Sequence, residues 1–456
     1  MLPVIDPSNG KTIREIAIDD APTIEAKLAA AARAAEPWSR LSFAERAVVL
    51  RKVAGVLRQQ RDALGLVMTE EMGKPQREAV AEVDKAAWCA EHYAEHAAGY
   101  LADESLESDA QHSYVRYLPL GPVLGVLPWN APIWLAFRFC APALMAGNPC
   151  LIKHDPHTPG CAQGIVAAFQ EAGAPIGIMD ALYLDNPPVE KVIHDPRIHA
   201  VSFTGSGRGG AVVASLAGAA LKPTILELGG SDPCVILNGA DLEAALPAIC
   251  TSRIINAGQS CIAAKRIIVE ESSYDAVVSG ITDRFRALVQ ADPRESTTDV
   301  GPIARQDLRE LLHRQVSDTI NAGARCTLGG KLPEGPGFFY PPTVLADVSP
   351  QMAAFREETF GPIAVIIPAR DAKHALKLAN DTDYGLAASV WGPAEAAWEL
   401  GRQIITGQIV INGIVKTDPR LPSGGIKRSG YGRELGPHGI RAFVNAQQVW
   451  IGPKRG

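Results

Sequence analysis

Residues 200–210 read Ala-Val-Ser-Phe-Thr-Gly-Ser-Gly-Arg-Gly-Gly and contain the transition that best indicates the fold. The run at residues 200–203 is typical of a short buried strand, and the glycines after it are typical of a tight turn. Gly205, Gly207 and Gly210 match the spacing of a phosphate-binding turn at a helix N-terminus. No acidic residue follows at a distance of about 20 residues, so this dinucleotide-binding pattern is incomplete and weak by itself.

Strand-like and helix-like segments alternate on both sides of this turn. Short apolar runs that are typical of buried strands lie at residues 123–127, 151–153, 234–237, 266–269, 364–367 and 409–411. Segments with the apolar spacing of amphipathic helices lie at residues 161–172, 241–255, 274–291 and 308–322. Because strands that alternate with helices form parallel sheets, the sequence predicts an α/β fold.

The chain is long enough for more than one domain. Its 456 residues exceed an ordinary single core, and the pattern restarts after residue 230, so we expect two α/β domains that meet there. The first begins with helices, because Ser42 and Glu45 form a capping box and the breaker Gly73-Lys74-Pro75 separates two helical stretches. Residues 114–118 alternate like an exposed strand.

Composition and charge argue against several classes of function. A net charge of −6 with scattered lysines and arginines argues against nucleic-acid binding. The sequence has no apolar run of about eighteen residues and no signal-like N-terminus, which predicts a protein without a membrane span or a secretory leader. The eight cysteines include no CxxC pair and no zinc-like spacing, so we expect free thiols, no metal site and a cytoplasmic location.

Cys261 differs from the other cysteines because it follows a small, polar turn, Asn256-Ala257-Gly258-Gln259-Ser260. Such a turn would let the thiol project into a cleft, where a polar setting favours the nucleophilic thiolate. An ordinary unreactive thiol is the alternative interpretation, and it is the more frequent one for a cysteine taken alone.

Two further residues stand at or just after the ends of predicted strands and carry side chains suited to catalysis. Glu227 closes the apolar run at residues 224–226, where its carboxylate could activate water as a general base. Asn130 follows the strand at residues 123–127, and its amide could donate a hydrogen bond to an oxyanion. The alternatives are an exposed charge at the end of a strand for Glu227 and a simple turn residue for Asn130.

The order of these motifs is more informative than any one of them. The chain contains in succession Pro128-Trp129-Asn130, Phe203-Thr204-Gly205-Ser206, Glu227-Leu228-Gly229-Gly230, Gly258-Gln259-Ser260-Cys261, Glu357-Glu358-Thr359-Phe360-Gly361-Pro362, Gly424-Gly425-Ile426-Lys427-Arg428-Ser429-Gly430 and Gly432-Arg433-Glu434-Leu435-Gly436. With these motifs in register, the sequence resembles the aldehyde dehydrogenase superfamily along essentially its whole length. Its tail and the segment after Gly258 look most similar to the short bacterial branch of succinate-semialdehyde dehydrogenases.

The resemblance implies a catalytic role for four residues. Cys261 would attack the aldehyde carbon, and the Asn130 amide would stabilise the oxyanion of the resulting thiohemiacetal. Loss of a hydride to NAD or NADP would leave a thioester, which a water activated by Glu227 would hydrolyse. Glu434 matches a carboxylate behind this base that could relay protons. A branch of the superfamily that transfers the acyl group to coenzyme A needs no such base, so Glu227 favours release of a free acid.

The resemblance also implies a cofactor site. Lys153 matches a lysine that contacts the adenosine ribose, and Glu358 matches the residue that holds the nicotinamide ribose. The other residues that we assign to the cofactor site lie in or beside the same motifs: Trp129, Gly205, Ser206, Arg208, Gly210, Leu228 and Phe360.

The residues near Lys153 bear on the choice between NAD and NADP. Relatives that prefer NAD usually carry a glutamate three residues after this lysine, but the residue here is Pro156. Without that carboxylate a 2′-phosphate is not repelled, and Arg208 could pair with it, which favours NADP. Asp155 could instead turn toward the ribose and restore a preference for NAD, and Arg208 could simply be a solvated surface residue.

The substrate prediction is less direct. Arg138 matches an arginine that binds the substrate carboxylate in succinate-semialdehyde dehydrogenases, and Thr417 lies where a carboxylate-binding serine is expected. A second arginine of the classical members of that branch would fall at Ile255 and is missing. An arginine without an anionic partner in a partly apolar cleft is costly, which favours an acidic substrate. The alternatives are an arginine paired within the protein and an enzyme for aromatic or aliphatic aldehydes without a carboxylate.

The resemblance implies a Rossmann-like cofactor domain, an α/β catalytic domain and a β-strand oligomerisation arm. We assign residues 1–100 and 120–229 to the NAD(P)-binding domain, 230–430 to the catalytic domain, and 101–119 with 437–456 to the arm. Because unpaired strands need a partner edge, we expect a homodimer or homotetramer. An inactive binding protein would be expected to lack Cys261 or Glu227, and a thiol hydrolase without cofactor would leave Glu358 unexplained.

Overall fold

The computed structural model describes residues 1–453, so the last three residues of the predicted arm segment 437–456 lie outside the described residues. The chain begins with a hairpin and four helices: β1 (Leu2–Asp6), β2 (Lys11–Ile16), α1 (Ala21–Arg40), α2 (Phe43–Gln59), α3 (Arg61–Met72) and α4 (Gln76–Tyr100). The predicted capping box at Ser42 and Glu45 starts α2, and the predicted breaker ends α3, where Gly73 adopts a left-handed φ of 79°. Both local predictions are confirmed.

The first sheet follows an extended segment, which contains β3 (Glu104–Ser105) and β4 (Ala110–Pro119). The elements of this part are β5 (Val123–Leu127), α5 (Pro132–Met145), β6 (Cys150–His154), α6 (Pro159–Glu171), β7 (Met179–Ala181), α7 (Val189–His194), β8 (Ala200–Thr204), α8 (Gly207–Ala219) and β9 (Thr224–Glu227). The five strands are parallel in the order β9-β8-β5-β6-β7. The chain order reverses between β5 and β8, and ligands bind parallel sheets at such reversals.

The second sheet is formed by the next part of the chain. Its elements are β10 (Pro233–Ile236), α9 (Leu242–Ile254), β11 (Arg266–Glu270), α10 (Tyr274–Arg286), α11 (Gln306–Asn321), β12 (Arg325–Leu328), β13 (Thr343–Ala346), α12 (Ala353–Arg356), β14 (Ile363–Ala369), α13 (Ala372–Asn380), β15 (Ala387–Trp391), α14 (Ala394–Gly401) and β16 (Gln408–Ile411). The order is β12-β13-β14-β11-β10-β15-β16, and all pairs except β12 with β13 are parallel. The predicted α/β fold is therefore confirmed.

Each sheet is buried on both faces, as parallel sheets usually are. In β10, Val235 belongs to one apolar cluster, whereas Cys234 and Ile236 belong to the cluster on the opposite face. In β5, Val123 and Leu124 divide in the same way between two clusters. This explains why the strands read as continuous apolar runs in the sequence rather than as alternating ones.

The C-terminal segment returns from the second sheet to the first. It contains β17 (Gly430–Tyr431), α15 (Gly436–Arg441) and β18 (Val444–Pro453). Strand β17 pairs antiparallel with β9, so that Gly430 lies opposite Glu227. A side chain at position 430 would place its Cβ 2.0 Å from the carbonyl oxygen of Leu226, so this pairing requires the glycine. The end of the chain therefore closes over the carboxyl edge of the first sheet.

The predicted arm strands form a separate three-stranded antiparallel sheet in the order β18-β4-β3. Val444 to Pro453 pair along almost the whole length of β4, from Pro119 to Ala110. Trp450 and Ile451 are each 46% exposed, which is unusual for large apolar side chains in a sheet. None of the helices within residues 1–453 has both the length and the apolar character that a membrane span requires.

Candidate active site

The loop that carries Cys261 has a backbone that few sequences can adopt. Asn256 and Ala257 have positive φ angles of 56° and 51°, and Gly258 follows with a φ of 76°. A side chain at Gly258 would place its Cβ 2.1 Å from the carbonyl oxygen of Gly361. The small residues of this segment are therefore required by backbone strain and close packing, and they leave Cys261 half-buried as a free thiol.

Two buried cations hold this loop in place. Arg253 donates hydrogen bonds to the carbonyl oxygens of Gly258 at 2.9 Å and of Thr359 at 3.2 Å. The ammonium group of Lys265 donates to the carbonyl oxygen of Ser260 at 2.8 Å and also to that of Cys261. These bonds satisfy backbone groups that a loop of this shape cannot pair with itself.

The side chain of Asn130 reaches the same loop. Its Nδ2 donates to the carbonyl oxygen of Gln259 at 3.1 Å, two residues before Cys261. Its own carbonyl oxygen accepts hydrogen bonds from Asn256 Nδ2 at 2.7 Å and from Lys74 Nζ at 3.0 Å. Both the side chain and the backbone of Asn130 are therefore held against the loop that carries Cys261.

Glu82 stabilises the turn that carries Asn130. Its carboxylate accepts hydrogen bonds from the backbone N–H groups of Ile133 at 3.0 Å and Trp134 at 3.1 Å, at the start of α5, and it pairs with Lys74. A carboxylate at a helix N-terminus satisfies N–H groups that have no partner within the helix. The turn that carries Asn130 is therefore fixed by a buried ion pair.

Two buried carboxylates, Glu227 and Glu434, share the guanidinium of Arg138. Arg138 Nη2 lies 3.3 Å from Glu227 Oε2 and 2.5 Å from Glu434 Oε2. Glu227 Oε1 receives no hydrogen bond from the residues that the structure describes. A Cβ on Gly424 would lie 2.6 Å from this oxygen, so the glycine leaves space beside it. One oxygen of Glu227 is thus held, whereas the other is available to accept a proton.

Burial governs the proton affinities of these groups. It raises the pKa of Glu227 above the usual carboxyl range, against the opposing charge of Arg138. Burial also raises the pKa of the Cys261 thiol to about 11, although the charges of Lys265 and Arg138 favour the thiolate. The resting thiol is therefore protonated at neutral pH and needs a base to become a nucleophile.

The glycine-rich turn forms a cradle for a phosphate at the N-terminus of α8. The hydroxyl of Ser206 accepts a hydrogen bond from Gly209 N at 3.2 Å and caps the helix. A Cβ on Gly210 would lie 2.5 Å from Leu228, so this glycine allows α8 to approach β9. Arg208 is exposed and has no carboxylate partner within residues 1–453. The turn thus fits the pyrophosphate of a dinucleotide.

Lys153 and Asp155, which lie two residues apart, bond different partners. Lys153 is buried, and its ammonium group donates to Asn186 Oδ1 at 2.8 Å. Asp155 does not turn toward this lysine, because its Oδ1 lies 2.6 Å from His157 Nδ1 and accepts a hydrogen bond from His157 N at 3.0 Å. Asp155 is therefore bonded to His157 and not to Lys153 in this structure.

Glu358 lies between the segment that follows β9 and the cysteine loop. Its Oε1 accepts a hydrogen bond from Gly230 N at 3.0 Å and lies 3.2 Å from Lys265 Nζ. Trp129 and Phe360 pack edge to face with ring centroids 5.8 Å apart. Lys265 thereby connects the residue expected at the nicotinamide ribose directly to the backbone of Cys261.

Arg138 has anionic partners within the protein. The sequence argument treated it as a guanidinium that needs an anionic substrate, but the structure pairs it with Glu227 and Glu434 at 4% side-chain exposure. Its charge is therefore compensated within the protein, which was the alternative interpretation. Thr417 is buried, and its hydroxyl accepts a hydrogen bond from Lys85 Nζ at 2.7 Å.

Sequence reasoning missed three lysines of the site: Lys74, Lys85 and Lys265. Lys265 follows Cys261 by four residues, and this proximity could have been noticed. Lys74 appeared only as part of a helix breaker, and Lys85 lies in a helix where charged residues are usually solvated. The partner of Lys85 is 332 residues away, and the partner of Lys74, eight residues away, matches no recognised spacing, so neither lysine carries a local signal.

Comparisons with known proteins agree with this geometry. Residues 1–449 match a model of the aldehyde dehydrogenase family. A probable NADP⁺ succinate-semialdehyde dehydrogenase of Synechocystis is 46% identical, with 98% of this chain and 99% of the relative covered. An NAD(P)⁺ succinate semialdehyde dehydrogenase of Escherichia coli is 44% identical over 98% of this chain and 97% of the relative. The crystal structure of a succinic semialdehyde dehydrogenase from Streptococcus pyogenes with NADP⁺ superposes with a TM-score of 0.97 at 34% identity, covering 99% of this chain and 100% of the other.

The contacts of Lys265 generate a prediction about thiol reactivity. Replacing Lys265 by Met removes the positive charge that most favours the Cys261 thiolate, so the pKa of the thiol should rise further. We expect alkylation of Cys261 by iodoacetamide at pH 9 to slow by about 3- to 10-fold, since a nearby opposite charge shifts a pKa by about one unit. The rates can be measured by quenching the reaction and mapping the labelled peptides by mass spectrometry.

The half-buried Cys326 provides an internal control in the same digest. Its alkylation rate should be the same in both proteins, because none of the charges at the site affects its pKa. An unchanged rate at Cys261 would show that the charge of Lys265 does not act on the sulfur.

Proposed function

This chain belongs to the aldehyde dehydrogenase family, and on that premise we propose that it oxidises succinate semialdehyde to succinate with a nicotinamide cofactor, NADP in preference to NAD. The observation that carries this proposal is the convergence of Cys261, Asn130 and Glu227 beside the residues suited to a dinucleotide. The names of the most similar relatives support the substrate and the cofactor.

The chemistry begins at the thiol of Cys261. With a pKa of about 11, the thiol must lose its proton as it attacks the carbonyl carbon, and the available oxygen of Glu227 can accept that proton. The amide of Asn130 and the backbone N–H of Cys261 would donate to the oxyanion that forms. Donors fixed before the reaction stabilise this charge without reorganisation, which favours the thiohemiacetal.

The nicotinamide ring, when bound, accepts the hydride that leaves the former aldehyde carbon. The residues that fit this cofactor are the glycine turn for its pyrophosphate, Lys153 for the adenosine ribose and Glu358 for the nicotinamide ribose. Because Lys265 bonds both Glu358 and the Cys261 backbone, it couples the positions of cofactor and nucleophile.

After it has released the proton of the thiol to solvent, Glu227 removes a proton from the water that hydrolyses the thioester. A carboxylate whose pKa is raised by burial is a stronger base than an exposed one, which suits this step. Arg138 compensates part of the negative charge of Glu227 and also pairs with Glu434. This shared contact suits Glu434 to relay protons to and from the base. The product of this sequence is a free acid.

Steady-state kinetics test the proposed reaction. We expect kcat/KM for succinate semialdehyde to exceed that for hexanal and benzaldehyde by at least about 10-fold, because a site that pairs a carboxylate discriminates against substrates that lack it. Cys261→Ser should abolish the increase in absorbance of reduced nicotinamide, whereas Cys326→Ser, at a half-buried thiol remote from this cluster, should retain it. Equal kcat/KM values for the three aldehydes would contradict the assigned substrate, and turnover by Cys261→Ser would contradict the mechanism.

The choice of cofactor depends on the exposed guanidinium of Arg208. Pro156 supplies no carboxylate to repel a 2′-phosphate, and Asp155 is engaged by His157. Arg208→Ala should lower kcat/KM for NADP by about 3- to 10-fold and leave kcat/KM for NAD unchanged. This is the loss expected when one partly solvated, charge-assisted hydrogen bond is removed. Equal decreases in kcat/KM for the two cofactors would show that Arg208 does not bind the 2′-phosphate.

We further propose that the sheet β18-β4-β3 joins copies of the chain in a homodimer or homotetramer. Its support is the exposure of Trp450 and Ile451 and the open edge of an antiparallel sheet. Analytical ultracentrifugation should give a mass of at least two chains, and Ile451→Asp should shift the equilibrium toward smaller species. A mass equal to one chain for the unaltered protein would contradict the proposal.

A further inference from the structure

Lys85 is a cation of this site that forms no ion pair with a carboxylate of the described residues, and its one hydrogen-bond partner is the neutral hydroxyl of Thr417. Arg138 pairs with Glu227 and Glu434, and Lys265 pairs with Glu358. Within residues 1–453, no carboxylate oxygen lies within 4.0 Å of Lys85 Nζ. A half-buried ammonium group without an anion is costly, and such groups are usually paired.

The two carboxylates whose charges act on Lys85 are already engaged elsewhere. Glu82 pairs with Lys74 and accepts the N–H groups at the start of α5. Asp418 is bonded by Arg420, whose Nη2 lies 2.6 Å from Asp418 Oδ2. Neither side chain can turn to Lys85 without abandoning these partners, so an anion from outside the chain is the ligand best suited to compensate this charge.

Lys85 is positioned by contacts that place it along the catalytic cluster. Its Nζ lies 4.3 Å from the centroid of the Trp134 ring. Trp134 precedes Arg138 by four residues on α5, so both lie on one face of the helix, and α5 begins just after Asn130. The ammonium group is therefore on the same side of α5 as the guanidinium that holds the general base.

The hydroxyl of Thr417 completes a pair of donors. Lys85 Nζ donates one of its three N–H bonds to Thr417 Oγ1 at 2.7 Å, which leaves two for a ligand. Since Thr417 accepts this bond, its own O–H remains free to donate. An ammonium group and a hydroxyl 2.7 Å apart present converging donors, which matches the two oxygens of one carboxylate.

We propose that Lys85 and Thr417 bind the carboxylate at the far end of the substrate and thereby select semialdehydes over neutral aldehydes, a role that Arg138 does not perform. This inference rests on the proposed oxidation of succinate semialdehyde and identifies the residues that recognise its acid group. Arg138 instead acts through Glu227 and Glu434, so it influences every aldehyde alike.

The proton affinity of Lys85 agrees with this role and provides a signature for it. Burial lowers the pKa of Lys85 to about 8, and the positive charge of Arg138 lowers it further, against Glu82, Cys89 and Asp418. The ammonium form is thus present below pH 8 and is lost as the pH rises through that value. Binding of a carboxylate should weaken over the same range.

Substitution of Lys85 tests the inference. Lys85→Met keeps the length of the side chain and its contact with Trp134 but removes the charge, and Lys85→Arg keeps the charge. We expect Lys85→Met to lower kcat/KM for succinate semialdehyde by about 10- to 100-fold, mainly through KM, while kcat/KM for butanal stays within about 3-fold. Lys85→Arg should recover much of the loss, and Lys52→Met, at an exposed lysine of α2, should change neither value.

The pH dependence separates an anchor from a merely structural lysine. In the unaltered protein, KM for succinate semialdehyde should rise as the pH increases above about 8, whereas KM for butanal should not. In Lys85→Arg this rise should disappear, because a guanidinium stays protonated there. Arg138→Met should lower turnover of both aldehydes to a similar extent.

A second measurement does not depend on turnover of the semialdehyde. Succinate should inhibit butanal oxidation competitively, and Lys85→Met should raise its inhibition constant by about 10-fold or more. If the unaltered protein does not prefer succinate semialdehyde to butanal, the proposed function is wrong. If it does, but Lys85→Met keeps both that preference and the inhibition constant, only the role of Lys85 is overturned.

Discussion

The bond of one buried guanidinium to two carboxylates is the interaction on which the rest of the site depends. Arg138 comes from α5, Glu227 from the end of β9 and Glu434 from the returning C-terminal segment. Two carboxylates this deeply buried would otherwise lose their charge by protonation or force the segments apart. With Arg138 between them, the chain end can pair with β9 at Gly430 and close over the base without burying unpaired charge.

Charge compensation also divides the site into permanent and ligand-dependent parts. Where the geometry must be ready before a substrate arrives, the protein supplies both partners, as in the pairs of Lys74 with Glu82 and of Lys265 with Glu358. Where only one partner is present, as at Arg208 and Lys85, the second is expected from the cofactor or the substrate. A raised pKa keeps the Cys261 thiol protonated until a base is engaged, so an unoccupied cleft holds no free thiolate.

Much of the fold followed from the sequence because the signals were local. Strands β5, β8 and β11 were recognisable as apolar runs, and the cap of α2 as a pattern of four residues. The predicted helix at residues 274–291 overshot α10, which ends at Arg286, because no glycine or proline marks that end. Strands β13 and β15 were not predicted, since short buried strands within long α/β segments carry neither a period nor a distinctive boundary.

The sequence by itself determined the family and the α/β fold and indicated the candidate reacting groups, because motifs such as 258–261 reflect backbone constraints that only small residues satisfy. Only the tertiary structure decided which charges are paired. Arg138 and Glu227 are 89 residues apart in the sequence, and Lys85 and Thr417 are 332 residues apart. The residues around each of them therefore do not indicate its partner. The electrostatic role of a side chain depends on which charged groups the packed fold brings within a few ångströms of it. Local sequence patterns do not contain these distances.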